Sequence, residues 1–313
     1  MRIVVALGGN ALLRRGEPMD QSVQQRNIEA TATAVAALAA DHDLGITHGN
    51  GPQVGLLALA QEAAGGAGYT LDVLGSETQG MIGYLLEDAL RDALPGREVA
   101  TLLTQVLVDR DDPAFARPTK PIGPTYSADV ARRLAADRGW TVALDGDAYR
   151  RVVPSPEPRR ILELEAIRLL ADHRVLVICA GGGGVPVVAA ANGACYGVEA
   201  VVDKDLTTAL LATDLHADML LLLTDVPAVE LGWHTPEARA IRTGTPLAFR
   251  SERFAPGSMA PKVDAACRFV EATGRRAAIG SIEEAAAIIA GRAGTTILRD
   301  GITPLGFWSG APR

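Results

Sequence analysis

Short apolar runs that end in glycine loops alternate with helical segments, and this alternation limits the fold more than any other feature. Arg2–Leu7 is an apolar, β-branched run that leads into Gly8-Gly9-Asn10. A helical pattern capped by Asp20 or Ser22 follows to about residue 40, and a second strand then ends at His48. The resulting order of strand, helix and strand predicts a parallel sheet covered by helices.

The alternation extends to the rest of the chain with one interruption. Glu98–Val108 is predicted as a single strand, and Ala200–Val202 as a strand that leads into the next helix. Between about Asp109 and Pro158, proline-rich stretches bracket a short helix near Asp129–Arg138. A segment of roughly fifty residues buries too little apolar surface to form a stable core of its own easily. We therefore expect one domain, 1–313, with residues 109–158 inserted in it as a small lobe.

Charge, apolar length and cysteine number exclude several classes of protein. Thirty basic against 37 acidic residues give a net charge of −7, which argues against a broad nucleic-acid surface. No apolar run approaches the ~20 residues of a membrane span, and no signal peptide is expected at the start. Cys179, Cys195 and Cys267 are an odd number without metal-site spacing. We expect a protein of the reducing cytoplasm that binds neither nucleic acid nor membrane.

Lysine is rare in this chain. Of the 30 basic residues 27 are arginine, and the three lysines are Lys120, Lys204 and Lys262. Lysine and arginine can both supply a charge at the surface, whereas a site that needs a compact ammonium group cannot use the broad guanidinium of arginine. We take each of the three to lie in a segment punctuated by glycine or proline, and we interpret all three as functional. Exposed loop charges remain the alternative.

Two glycine-asparagine loops follow neighbouring predicted strands. Gly8-Gly9-Asn10 ends the first strand, and His48-Gly49-Asn50-Gly51-Pro52 ends the second. Backbone N–H groups in such loops can approach an anion, and ligands of open α/β sheets bind at the carboxyl ends of strands. We predict a shared anion pocket, with His48 as a packed structural imidazole. Plain tight turns are the alternative.

Two familiar nucleotide motifs are absent. No glycine precedes a lysine, which excludes the GxxxxGK[ST] phosphate loop, and Ala180–Pro186 lacks the last glycine of GxGxxG. The glycines of Ala180–Pro186 still follow a predicted strand, so they either border the pocket or make a crossover turn.

The contexts of Lys204 and Lys262 favour a phosphate site. Asp203-Lys204-Asp205 opens a helix, where backbone donors favour an anion and Asp205 can hold the lysines or a metal. Lys262 also lies in a first helical turn, where a cation is unfavourable unless an anion is bound. Ammonium groups and backbone donors without a nucleophile–base pair suit phosphoryl transfer to an acceptor that is already anionic. A capping Asp203 beside a solvated lysine is the alternative.

With these segments in place, the chain resembles the amino-acid kinase family, and within it the branch that acts on carbamate. The wider family usually has a lysine shortly before the first glycines, where this chain has Ala6, and Lys120 matches the lobe lysine that replaces it. The segments that carry the resemblance are Val5–Ala11, His48–Gly55, Lys120–Pro124, Gly181–Pro186, Val202–Asp205 and Gly257–Lys262.

The resemblance implies a fold and an activity. The fold is an α/β three-layer αβα sandwich with an open, mainly parallel sheet and a small protruding lobe, in a homodimer. The activity is reversible transfer between ATP and carbamate, giving ADP and carbamoyl phosphate, with Mg²⁺ whose ligands are unknown. The direction in the family is usually ATP synthesis during arginine breakdown.

The resemblance also implies the roles of single residues. Lys204 and Lys262 neutralise charge, Asp205 orients them, and Lys120 closes over the acceptor. The residues expected to hold the carbamate and the transferred phosphoryl group are Gly8, Gly9, Asn10, Gly49, Asn50 and Gly51. Those expected near the nucleotide are Gly182, Gly183, Thr224, Asp225, Val226 and Met259.

Two other functions stay open from the sequence. A related kinase could act on another small acid or phosphate, although the Lys120–Pro124 loop speaks against it. A nucleotide sensor without catalytic activity could keep the fold, although all three lysines and Asp205 are retained.

Overall fold

The structure is a computed structural model that describes residues 1–9, 12–13, 17–18, 20–63, 68–255, 258–300 and 304–309. The strands are β1 Arg2–Leu7, β2 Asp43–His48, β3 Val99–Thr101, β4 Gln105–Val108, β5 Lys120–Tyr126, β6 Val142–Asp145, β7 Ala148–Val153, β8 Pro158–Ile161, β9 Leu176–Ile178, β10 Val185–Ala189, β11 Cys195–Gly197, β12 Met219–Thr224, β13 Glu230–Leu231, β14 Arg239–Gly244, β15 Arg276–Ser281, β16 Thr295–Ile297 and β17 Gly306–Phe307. The helices are α1 Gln21–Ala39, α2 Gly51–Ala63, α3 Leu71–Ala93, α4 Ala128–Arg138, α5 Leu164–Asp172, α6 Lys204–Asp214, α7 Pro246–Arg250, α8 Met259–Thr273 and α9 Ala285–Ile289.

One large sheet organises the molecule. Its strand order is β13-β14-β16-β15-β12-β1-β2-β9-β3, with β17 paired to β14. The pairs from β15 through β12, β1, β2 and β9 to β3 are parallel, whereas β16 runs antiparallel to β15. Because both faces of the central strands are covered, β1 and β12 are almost continuously apolar. The glycine loops after β1 and β2 therefore meet at one edge.

Helices cover both faces of this sheet. Alternate residues of β1 enter two different cores, since successive side chains of a strand point to opposite faces. Val4 and Ala6 pack in the core that includes α6 and α8, and Ile3 and Val5 in the core that includes α1 and α3. The predicted three-layer αβα sandwich with a mainly parallel sheet is thereby confirmed. In the described ranges, no helix is both long and apolar enough to cross a bilayer.

Two predicted strands differ in the structure. The segment predicted as one strand, Glu98–Val108, is split into β3 and β4, which belong to different sheets. The break lies at Thr104, whose backbone N–H donates to Gln79 Oε1 at 3.0 Å. Its carbonyl accepts from Gln79 Nε2 at 3.1 Å and from the N–H of Val185 on β10 at 2.8 Å. Ala200–Val202 forms no strand, and the Val201 N–H donates to the carbonyl of Pro154 at 2.9 Å.

The segment between 109 and 158 forms a sheet of its own. Strands β5, β7 and β6 pair in that order and antiparallel, and α4 lies between β5 and β6 along the chain. The helix α4 matches the short helix predicted near Asp129–Arg138. Ser127 caps its start, and Gly139 ends it in the left-handed region with φ +66°.

Candidate active site

A cavity of about 320 Å³ lies at the carboxyl ends of β1, β2 and β12. Its wall contains most residues that the sequence predicts for a site, and it joins the large sheet to strand β5 of the lobe. The predicted residues in the wall are Gly8, Gly9, Gly49, Asn50, Gly51, Lys120, Gly182, Lys204, Asp205, Thr224, Asp225, Val226, Met259 and Lys262. Asn10 lies outside the described residues, and Gly183 does not line the cavity.

Asp205 holds two lysines. Its Oδ1 accepts from Lys204 Nζ at 2.6 Å, and its Oδ2 accepts from Lys262 Nζ at 2.8 Å. Asp205 and Lys262 are only 4% and 9% exposed. Because one carboxylate serves two ammonium groups, a positive charge remains at this end of the cavity. Such a site favours an anionic ligand.

Burial and pairing set the pKa values of this trio. Burial lowers the pKa of Lys204 to about 8, and the charge of Lys262 adds to that shift while Asp205 opposes it. Burial alone would raise the pKa of Asp205, but the two neighbouring ammonium groups overcome it and hold this pKa well below its usual value. Burial also acts to lower the pKa of Lys262, and Asp205 reverses this into a net rise. Asp205 is therefore ionised at neutral pH.

Lys120 reaches the same region from the lobe. Its Nζ donates to Asp203 Oδ2 at 2.5 Å. The other oxygen of Asp203 accepts from the backbone N–H of Asp205 at 2.9 Å and so caps α6. Asp203 is a functional candidate to which the sequence interpretation gave no role in the site, with a helix cap only as the alternative. Its place beside two predicted site residues was the available signal.

The two glycine loops touch each other. Gly8 N–H donates to the carbonyl of Leu223 on β12, and Gly49 N–H donates to that of Leu7. A Cβ on Gly49 would lie 3.4 Å from the nitrogen of Gly9 and 3.7 Å from Lys204 Cε. The structure thus brings both loops to Lys204, as the shared pocket requires.

His48 is packed in the wall behind these loops. It is 1% exposed, and its Nδ1 lies 3.1 Å from the carbonyl oxygen of Gly49. Burial, assisted by the charge of Lys204, lowers its pKa to about 4. A Cβ on Gly181 would overlap the imidazole ring, so the ring fills the space that this glycine leaves. The imidazole is neutral at pH 7 and structural, as predicted.

The glycine turn before β10 contributes unequally to the cavity. Gly182 lines the cavity and lies against the carboxamide of Asn50. Gly183 packs against the backbone of Val202, and its carbonyl accepts from Thr207 Oγ1 at 2.9 Å. Gly183 thus supports the start of α6, and the placement of both glycines near a nucleotide stays a prediction.

The rest of the cavity wall is partly aromatic. Thr224 ends β12, Asp225 and Val226 follow it, and Met259 begins α8. Sequence interpretation missed several residues of this part of the wall, because their segments have no periodic pattern. These residues are Ala228, Glu230, Trp233, Phe254 and Ala255.

The comparisons with known proteins identify the family. The model of the amino acid kinase family matches residues 1–281. The chain belongs to the amino acid kinase family. A carbamate kinase of Rhizobium meliloti (strain 1021) is 52% identical over 301 residues, which cover 95% of this chain and 93% of the relative. One from Haemophilus influenzae is 50% identical, covering 96% and 97%.

Solved structures give the same result. The carbamate kinase of Giardia lamblia bound to AMP-PNP is 39% identical with a TM-score of 0.86, and the match covers 96% of this chain and 98% of that one. As a member of the amino acid kinase family with these relatives, the chain is a kinase.

Proposed function

We propose that this kinase transfers a phosphoryl group reversibly between ATP and carbamate, with ADP and carbamoyl phosphate as the other pair. The observation that carries the proposal is the position of three ammonium groups. Two are held on Asp205 and the third is held on Asp203, across the same cavity. The carbamate kinases that this chain is similar to support the choice of carbamate among small acids.

The transfer needs charge neutralisation more than proton transfer. In the direction of ATP synthesis, an oxygen of the ADP β-phosphate forms a bond to the phosphorus of carbamoyl phosphate. The bond from phosphorus to the carbamoyl oxygen breaks, and carbamate leaves with the electron pair. Both oxygens that exchange the phosphoryl group are anionic, so no base has to remove a proton. A buried, neutral His48 is compatible with this chemistry.

Each wall residue has a role in the proposal. The transferred phosphoryl group lies against the loops of Gly8-Gly9 and Gly49-Asn50-Gly51, whose backbone can approach it closely. Lys204 and Lys262 oppose the charge that develops on it. Because Asp205 fixes both ammonium groups before the substrates arrive, they are preorganised for the transition state. Asn10, next in sequence to Gly9, keeps its predicted role in phosphoryl binding.

The two ends of the cavity then divide the substrates. Lys120 closes over the carbamoyl end. The nucleotide extends past Thr224, Asp225 and Val226 to Met259, where Trp233 and Phe254 offer aromatic surface for a base.

We infer that Mg²⁺ arrives with the nucleotide. Among the described residues, no group of three or more His, Cys, Asp or Glu is placed to hold a metal. Mg²⁺ commonly uses substrate phosphates and only one or two carboxylates. The cavity wall offers Asp225 and Glu230 for this purpose, and the ion would neutralise charge between the phosphates.

We further propose ATP synthesis during arginine breakdown, in the reducing cytoplasm. Carbamoyl phosphate is a mixed anhydride, which favours transfer to ADP. Cys179, Cys195 and Cys267 are all free of disulfides, which fits a reducing compartment.

We also propose a homodimer through the β3 edge of the large sheet. Strand β3 ends the sheet, and edge strands present unpaired backbone groups. Next to it, Met81 and Tyr84 of α3 are 38% and 65% exposed, and Leu103 is 51% exposed. A second copy would cover this apolar strip. Light scattering of the wild type and of Tyr84→Glu tests it, with a dimer expected for the first and a monomer for the second.

A coupled assay tests the activity. ADP, Mg²⁺ and carbamoyl phosphate should yield ATP, detected through a hexokinase and dehydrogenase couple. Acetyl phosphate, an acyl phosphate without the carbamoyl nitrogen, serves as the matched control and should give much less. Equal rates with both donors would favour a kinase for another small acid. Nucleotide binding without turnover on any donor would favour the sensor.

A further inference from the structure

Two glycines from different predicted motifs are in backbone contact. Gly55 lies in α2, at the end of the His48–Gly55 segment, and Gly123 lies in β5, within the Lys120–Pro124 segment. A Cβ on Gly55 would overlap the Cα and N atoms of Gly123, and it would stand 3.2 Å from the carbonyl carbon of Ile122. Gly55 is buried. The lobe strand therefore rests directly on the helix, without a side chain between them.

Gly123 bends β5 at this contact. Its φ of +71° lies in the left-handed region, and the pairing of β5 with β7 shifts register between Ile122 and Tyr126. The bend presents the backbone of Gly123 to Gly55. Both glycines are needed for different reasons, since Gly123 supplies the conformation and Gly55 supplies the space.

Ile122 fixes the same strand from its apolar side. It is 2% exposed and packs in a cluster with Val54 and Ala58 of α2 and with Leu74 of α3. Lys120 lies two residues earlier in the strand, and alternate strand residues face the same side. The packing of Ile122 and Gly123 against α2 at Gly55 therefore fixes the position of β5, and with it the distance between Lys120 and Asp203.

We propose that Gly55 is a positioning residue for Lys120, and that its lack of a side chain sets the distance between the lobe and the phosphoryl end of the cavity. This inference rests on the proposed function for its kinetic consequence but not for its geometry. Ordinary carbon–carbon contact requires about 3.5–4.0 Å, so a methyl group at Gly55 would push β5 away by on the order of 1–2 Å. Such a displacement separates Lys120 Nζ from Asp203 Oδ2, which now lie 2.5 Å apart.

Lysine labelling tests the geometry directly, because the chain has only three lysines. Brief treatment with acetic anhydride, followed by mass spectrometry of peptides, reports each amine separately. In Gly55→Ala, acetylation of Lys120 should become several-fold faster, while Lys204 and Lys262 keep their wild-type rates. Gly75→Ala is the matched control, since it places a methyl group in helix α3 where nothing lies within 4 Å. Unchanged labelling of Lys120 in Gly55→Ala would overturn the proposal.

Kinetics test the consequence. Gly55→Ala should lower kcat by roughly 10²-fold, the scale expected for an ångström-sized misplacement, with the KM for ADP unchanged. In Lys120→Ala the same glycine substitution should cost almost nothing more, because both changes remove one interaction. If the losses in kcat of Gly55→Ala and Lys120→Ala multiplied in the double variant, Gly55 would not act through Lys120. Gly75→Ala should keep wild-type kcat.

A second variant and the labelling assay distinguish a failure of this proposal from misfolding and from a failure of the proposed function. If Gly55→Ala fails to fold, Ile122→Val loosens the same strand by removing one methyl group, and it should accelerate Lys120 labelling in the same direction. Unchanged labelling of Lys120 in Ile122→Val would contradict the proposal that this packing positions Lys120. If the wild type makes no ATP from carbamoyl phosphate, the proposed function is wrong, while the labelling comparison still decides the position of Lys120.

Discussion

Lys120 and Asp203, 83 residues apart in the chain, are joined by a hydrogen bond of 2.5 Å between a lobe strand and the N-cap of α6. The same carboxylate caps that helix through its other oxygen. One aspartate therefore connects the lobe to the helix that presents Lys204 and Asp205.

The two roles of Asp203 can be separated by substitution. In Asp203→Asn the side-chain oxygen still caps α6, since Asn and Asp are about equal in this role. The charge that holds Lys120 is lost, so kcat/KM for carbamoyl phosphate should fall roughly tenfold. Asp203→Ala removes the cap as well and should lower the free energy of unfolding by a further ~1 kcal/mol. Kinetics and urea unfolding of both variants measure this, and equal stability of the two would contradict the cap.

Arginine should not replace the lysines on Asp205. Lys204→Arg or Lys262→Arg keeps the charge but puts a broad planar group where a compact ammonium fits. We expect kcat to fall on the order of 10²-fold in each case. Steady-state assays at saturating ADP measure the effect. Arg91→Lys on the surface is the control, and near-normal kcat in both site variants would show that ammonium geometry is not needed.

The lowered pKa of Lys204 predicts an alkaline limit. A lysine with a pKa of about 8 loses its proton as the pH rises through 8, so the free enzyme loses a positive charge there. The value of kcat/KM for carbamoyl phosphate, which reports the free enzyme, should decline above about pH 8. Lys204→Arg stays protonated, and its lower kcat/KM should lack this decline. The same decline in Lys204→Arg would assign it to another group.

Asn50 should depend on Thr78. Asn50 Nδ2 donates to Thr78 Oγ1 at 2.8 Å, and that hydroxyl donates its own proton to a carbonyl of α3. Thr78→Val leaves the buried amide without this acceptor, which costs about 1–3 kcal/mol of stability, and we expect roughly tenfold lower kcat/KM. Thr78→Ser keeps the hydroxyl and should remain near wild type. Identical kcat/KM values for Thr78→Val and Thr78→Ser would show that the hydrogen bond from Asn50 to Thr78 does not contribute to activity.

Asp205→Asn should destabilise the fold and stop turnover. It leaves two buried ammonium groups without their carboxylate, and breaking a buried ion pair in this way costs about 3–5 kcal/mol. Without Asp205 the pKa of Lys204 falls further below the unfolded value, and that of Lys262 loses its rise and falls under the effect of burial. The unfolded chain then binds more protons than the folded one, so the stability of the variant rises with pH. The deficit against wild type, from urea unfolding between pH 6 and 9, should therefore shrink as the pH increases. A constant deficit would mean that the lysines keep their charge without Asp205.

The parts predicted well from the sequence are those that local composition determines. Strands β1, β2 and β12 are buried on both faces, so each forms a short apolar run. The lysines were identified because arginine occupies nearly every other basic position. The meeting of the two glycine loops followed from parallel strands ending at one edge.

The parts that were not predicted depend on contacts between distant segments. The lobe strands β5–β7 are mostly half-exposed and rich in arginine and proline, so they lack a clear alternation. The break at Thr104 arises from Gln79, which is 25 residues away. Trp233 and Phe254 lie on irregular segments whose approach to the cavity no periodicity reveals.

Met259 and Lys262 lie one turn apart on α8, where residues three apart are neighbours, and both line the cavity. Under the proposed function, a bulkier base that tilts this turn also moves the Lys262 ammonium relative to the reacting phosphorus. Tolerance for altered bases and speed of turnover would then be linked through the first turn of α8.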